Sequence, residues 1–144
     1  QKGDLDAAIQ EFTEAFKIDP RIAKAIAGLG AAHTQKGDLD AAIADYTKAI
    51  ALDPNNAEMY FLRGTLNYLK GDPDGAIADL NQAIALDPGM ALAFYIRGTA
   101  HAYKGDVDAA IKDYTQALEV APADSPIRKE VEDLLRDARE KRGK

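Results

Sequence analysis

The chain has 144 residues, 47% hydrophobic and 29% charged, which suits one folded domain; no apolar run nears the roughly 20 residues a membrane span needs. It has no cysteine, which excludes disulfides and thiolate metal sites. Of the net charge of −6, residues 1–124 carry 11 Lys/Arg against 19 Asp/Glu and residues 125–144 carry 7 against 5, so no basic stripe runs along the body for nucleic acid to bind.

A repeat of 34 residues organises everything else: Gly3, Gly37, Gly71 and Gly105 are evenly spaced, and so are Pro20, Pro54, Pro88 and Pro122. Such self-similarity marks a solenoid, whose units bury their apolar faces only against neighbours. A chain that begins without Met and inside a repeat reads as a fragment, so a missing secretory leader says nothing about compartment. Residues 1–20 read as the second helix of a truncated first repeat, near Asp4–Ile18. Residues 21–56 form repeat 2, with helices near 22–36 and 38–52. Residues 57–90 form repeat 3, with helices near 56–70 and 72–86. Residues 91–124 form repeat 4, with helices near 90–104 and 106–120. Residues 125–144 read as a capping helix over 125–142, with Asp124 or Ser125 as its cap and Pro126 in its first turn.

The local chemistry of repeat 3 supports these limits. Lys70 complements the negative end of a helix dipole, and Gly71 can take the left-handed conformation that closes a helix. Asp72 is a ready N-cap, Pro73 suits the first helical position, and Asp74 adds negative charge to the first turn. Small residues at Ala76 and Ala83 let the two helix axes approach closely. The last helix has one apolar stripe, Ile127, Val131, Leu134, Leu135 and Ala138. Its other face carries Lys129/Asp133, Glu132/Arg136 and Asp137/Lys141 at four-residue spacing.

These residues resemble the tetratricopeptide repeat, with its pattern W-x2-L-G-x2-Y, A-x3-F and P. The first part reads Ile26-x2-Leu29-Gly30-x2-His33, Tyr60-x2-Arg63-Gly64-x2-Asn67 and Phe94-x2-Arg97-Gly98-x2-His101. The second reads Ala8-x3-Phe12, Ala42-x3-Tyr46, Ala76-x3-Leu80 and Ala110-x3-Tyr114, each followed by its proline. The resemblance implies an all-α fold, a right-handed superhelix of antiparallel helix pairs. It also implies a concave wall, built from the first helix of each pair, that binds peptides or extended segments.

Two departures carry information. Arg63 and Arg97 replace the expected leucine, and the second helices carry Asp45, Asp79 and Asp113 in one column. Pairing within repeats gives Arg63–Asp79 and Arg97–Asp113; pairing across repeats gives Arg63–Asp45 and Arg97–Asp79. The tight turn favours the first. A functional alternative makes the arginines receptors for a ligand carboxylate.

By register with the family, the wall holds Lys24, Ala27, Ala31, Thr34 and Gln35 in repeat 2. Repeat 3 supplies Glu58, Phe61, Thr65, Tyr68 and Leu69; repeat 4 supplies Leu92, Tyr95, Thr99, Ala102 and Tyr103. Phe61, Thr65, Tyr68, Leu69, Tyr95, Thr99 and Tyr103 are the candidate peptide-binding residues, against the alternative that curvature packs the aromatics between repeats. Some family members hold a C-terminal carboxylate with lysine and asparagine on this wall; the matching columns offer neither, so that clamp is not expected here. His33 and His101 share a column two repeats apart, too distant to share a metal, and read as structural. The Asp-x-Asp turns lack the later ligands of a calcium loop and read as caps. No catalytic motif, metal site or cofactor is expected. The leading functional reading is a protein-interaction module. The alternative is end-to-end self-assembly into a homo-oligomer through an open N-terminal helix exposing Leu5, Ile9, Phe12 and Phe16.

Overall fold

The computed structural model describes Gly3, Ala7, Gln10, Glu11, Glu14, Asp19 and residues 21–144. Its Gly-Asp corners set the architecture. Gly37, Gly71 and Gly105 have positive φ angles of 77°, 89° and 84°, the left-handed geometry that glycine adopts without Cβ strain. At the middle corner the Gly71 N–H donates to the Tyr68 carbonyl and the Asp72 N–H to Asn67, closing one helix. The side chains of Asp38, Asp72 and Asp106 then accept from the N–H groups of Ala41, Gly75 and Ala109 to open the next.

Seven helices follow among the described residues: α1 (Arg21–Gln35), α2 (Leu39–Leu52), α3 (Ala57–Leu69), α4 (Pro73–Leu86), α5 (Ala91–Tyr103), α6 (Val107–Val120) and α7 (Arg128–Arg142). They pack as pairs α1/α2, α3/α4 and α5/α6, each pair stacking on the next, with α7 against α6. The result is an all-α superhelical solenoid. The residues named for self-assembly, Leu5, Ile9, Phe12 and Phe16, lie outside the described residues, and no other observation supports that alternative.

Close packing inside each pair depends on small residues. Ala42, Ala49, Ala76, Ala83, Ala110 and Ala117 are wholly buried, and the buried Gly30, Gly64 and Gly98 face Tyr46, Leu80 and Tyr114. A Cβ placed on Gly98 would come within 2.9 Å of the Tyr114 ring. Burial of Val131 and Leu135 on a cluster with Phe94, Ile111 and Tyr114 seats α7; each contributes roughly 1.5–3 kcal/mol.

The last helix starts later than its sequence suggests. α7 begins at Arg128, and neither Asp124 nor Ser125 caps it. The Ser125 N–H donates to the Pro122 carbonyl and the Arg128 N–H to Ser125, so this stretch is a turn. Arg128 also serves the preceding helix. Its guanidinium donates from Nη1 to the carbonyls of Leu118 and Ala121, at 2.9 and 3.0 Å, satisfying the end of α6. On the outer face Arg136 meets Asp133 at 3.0 Å rather than Glu132.

A polar ladder runs through the stack. Arg63 donates from Nε and Nη2 to Asp79 at 2.9 and 2.7 Å, and Arg97 does the same to Asp113. The pairing is within repeats. Each arginine also reaches back one repeat, Arg63 Nη1 to Thr47 and Arg97 Nη1 to Asn81, and lies over an aromatic ring, Tyr60 or Phe94. The Asp79 carboxylate raises the Arg63 pKa above the ordinary arginine value. These partners occupy both guanidinium groups, which are therefore structural. In repeat 2 the aromatic and the arginine are replaced together, by Ile26 and Leu29, and Asp45 instead accepts from His33 Nδ1 at 2.6 Å.

Leu29 is 56% exposed, so this repeat spends an apolar side chain where its neighbours hold an ion pair. Leu29→Arg should restore the pair with Asp45 and raise stability by about 0.5–1 kcal/mol. A melting temperature equal to or below that of the parent chain would show that the column does not transfer between repeats.

Candidate functional site

The first helices α1, α3 and α5 line one wall, and their register decides what that wall presents. The candidate residues divide by depth. Phe61 and Tyr68 are half-buried, leaning on the cluster of Ala76, Leu80 and Ala83. Leu69 and Tyr103 stand out, 63% and 70% exposed. The rings of Tyr68 and Tyr103 meet edge to face, with centroids 6.3 Å apart and planes at 86°. Packing between repeats and exposure on the wall thus both occur, at different residues.

The two threonines already spend their protons. Thr65 Oγ1 donates to the Phe61 carbonyl at 2.9 Å and Thr99 Oγ1 to the Tyr95 carbonyl at 3.0 Å. Thr99 also accepts from the Tyr114 hydroxyl at 3.3 Å. Tyr95 is engaged too: its hydroxyl donates to Glu130 of α7 at 2.7 Å. Burial, and then that carboxylate, push the Tyr95 phenol well above the usual tyrosine pKa. The last helix therefore reaches the repeat 4 end of the wall, a contact between side chains 35 residues apart.

Two cavities open at the other end. One, of about 350 Å³, is lined by Ala31, Thr34, Tyr46, Glu58, Leu62, Thr65, Leu66 and Leu69. The other, of about 560 Å³, adjoins it and includes Lys24, Ala27, Asp53, Glu58 and Met59. Lys24, Ala27, Ala31, Thr34, Glu58, Thr65 and Leu69 of their lining come from the first-helix face that the register selects, and Thr65 and Leu69 are shared with the candidate set. Leu62 and Leu66 are additions to it. Their apolar side chains at helical spacing are indistinguishable in sequence from an ordinary core stripe.

Among the described residues no group of three or more His, Asp or Glu side chains is arranged to hold a metal ion. His33 and His101 lie beside the aspartate column: His101 Nε2 is 4.0 Å from Asp113. No helix searched is long and apolar enough to cross a membrane.

Models of the tetratricopeptide repeat match residues 1–22, 57–90 and 91–124, and one described as a TPR repeat matches residues 30–71. The MamA protein, known from its crystal structure, is 30% identical over 96% of this chain and 79% of its own, with a TM-score of 0.71. The chain belongs to the tetratricopeptide repeat family. The first tetratricopeptide domain of Spaghetti (RPAP3), solved bound to the HSP90 peptide SRMEEVD, is similar at 27% identity, covering 85% of this chain and 94% of that one, with a TM-score of 0.78. The tetratricopeptide domain of Arabidopsis OM64 is similar at 26% identity, covering 80% and 94%, with a TM-score of 0.74. No curated protein matches the chain. Within the tetratricopeptide pattern, the glycine column gives Gly30, Gly64 and Gly98 their contact with the ring or aliphatic side chain of the A-x3-F column. The tyrosine column is where this array departs furthest: His33, Asn67 and His101 stand there, with His33 and Asn67 bonded to the aspartates of the second helices.

Proposed function

We propose that this tetratricopeptide array is a protein-interaction module, not an enzyme, and that its inner wall binds an extended or helical peptide segment. The observation that carries this reading is the wall itself. Exposed Leu69 and Tyr103 flank the Tyr68 ring, and a cavity of about 350 Å³ opens beside Leu69. Exposed aromatic and aliphatic groups at the edge of a concavity are the usual anchors of a peptide interface. The peptide-bound Spaghetti domain, similar over most of its length, lends support. Within the candidate set, Tyr68, Leu69 and Tyr103 are the better anchors. Tyr95 holds α7 through Glu130, so its removal would disturb the last helix as well as the wall.

The test is a peptide selected from a displayed random library and titrated against purified chain. Tyr103→Ala and Leu69→Ala should each weaken it about 5- to 30-fold, equivalent to about 1–2 kcal/mol, with unchanged melting. Undiminished affinity in both variants would move the site off this wall.

A further inference from the structure

The cavity beside Leu69 has an unusual polar inventory. Thr34 Oγ1 donates to the Gly30 carbonyl at 2.8 Å, and Thr65 Oγ1 donates to the Phe61 carbonyl at 2.9 Å. Both threonine protons are therefore committed. Tyr46, the remaining hydroxyl in the lining, is 2% exposed. Apart from the buried Tyr46 hydroxyl, the lining offers acceptors: two threonine oxygens and the exposed Glu58 carboxylate. The other lining side chains, Ala31, Leu62, Leu66 and Leu69, are apolar. No lysine, arginine or histidine lines this cavity. Lys24 belongs to the adjoining one, where Asp53 and Glu58 outnumber it.

A ligand carboxylate entering this space would find no cationic side chain and would face Glu58. A burial of that kind is costly. An ammonium or guanidinium would find Glu58 and the threonine oxygens, while its stem or an adjacent aliphatic side chain covered Leu62 and Leu69. We propose that the segment held by the wall is cationic and apolar: a leucine-type anchor seated on Leu62, Leu66 and Leu69, with a lysine or arginine paired to Glu58. This rests on the peptide-binding reading above and names its ligand class. The wall then selects against acidic segments and free C-terminal carboxylates.

Three short peptides with capped ends decide it. All carry the same leucine anchors; the intervening positions are lysine in one, glutamine in the second and glutamate in the third. Each is labelled and titrated at low salt against the chain, Glu58→Gln, Glu58→Lys and Leu69→Asp. The lysine peptide should bind tightest. Glu58→Gln should weaken it about fivefold, the effect of losing one partly exposed ion pair, with the melting temperature unchanged. Glu58→Lys should make the glutamate peptide the preferred ligand, and Leu69→Asp should weaken the glutamine peptide. Equal binding of all three peptides, lost in Leu69→Asp, would overturn the charge preference and leave the groove standing. Failure of all three to bind, or binding indifferent to Leu69→Asp, would overturn both readings.

Discussion

Asp113→Ala should destabilise the fold by about 2–4 kcal/mol, while Arg97→Leu should cost only about 1 kcal/mol. Asp113 is 3% exposed and accepts two hydrogen bonds from Arg97. Without it, a guanidinium with a fifth of its side-chain surface exposed keeps only Asn81 and the Phe94 ring. That residual access to water holds the cost below that of a fully buried, unpaired charge. The reverse deletion has a precedent inside the molecule. Repeat 2 has leucine at the arginine position, and its aspartate is served by His33. His101 occupies the same column in repeat 4, already 4.0 Å from Asp113, and can take over. Repeat 3 has Asn67 there, a neutral donor, so Arg63→Leu should cost more than Arg97→Leu. Chemical denaturation of the three variants checks the order; equal losses for Asp113→Ala and Arg97→Leu would refute it.

Gly98→Val should lower stability by about 2–3 kcal/mol, a drop of roughly 5–10 °C in melting temperature. Any Cβ at this position meets the Tyr114 ring at 2.9 and 3.0 Å and Asp113 Cβ at 3.1 Å. Tyr114 is 1% exposed and sits in the cluster with Phe94, Ile111 and Val131. A β-branched side chain therefore pushes α5 and α6 apart, outweighing its modest gain in helix propensity over glycine. Gly28 is the contrast: nothing lies within 4 Å of its added Cβ. Gly28→Ala should stabilise α1 by about 0.5–1 kcal/mol. If Gly98→Val melts with the parent chain, the helices of that pair do not need their close approach.

The helix pairs were legible because their limits are set by local chemistry. Gly71 must have positive φ, Asp72 must offer an oxygen to a nearby N–H, and Pro73 fits only the first turn; none of this depends on distant residues. The direction of the arginine pairing was legible for a related reason, since a two-residue corner brings the helices of one repeat together before any neighbour arrives. Contacts set by the docking of the last helix were not. Arg128 caps the carbonyls of α6, and Glu130 takes the Tyr95 hydroxyl, only because α7 has a particular rotation and start. Pro126 suggested an earlier start, and the turn at Ser125 overrides it. On the wall, repeat register picked out Leu69 and Tyr103, which stand exposed, along with five residues that are half-buried, and the cavity chemistry escaped it. Whether a threonine proton is free or spent on its own helix is not written in the residue type.

The edge of the stack near the Gly-Asp corners carries one more regularity. Lys70 pairs with Asp40, Lys104 with Asp74, and Arg142 with Asp108, so the cation always comes from the element after the one that supplies the acid. Each such exposed pair is weak, but together with Arg63–Thr47 and Arg97–Asn81 it makes repeats 3 and 4 each a donor to the unit before and an acceptor for the element after. Growth by duplication is then nearly free of conflict. A second copy of residues 57–90 spliced in tandem would bring a lysine for the Asp74 before it, an aspartate for the lysine after it, and an arginine with its own carboxylate inside. Deleting one helix of a unit would leave a charge without its mate on each side of the new joint. Lengthening by whole units of 34 residues therefore keeps these pairs intact.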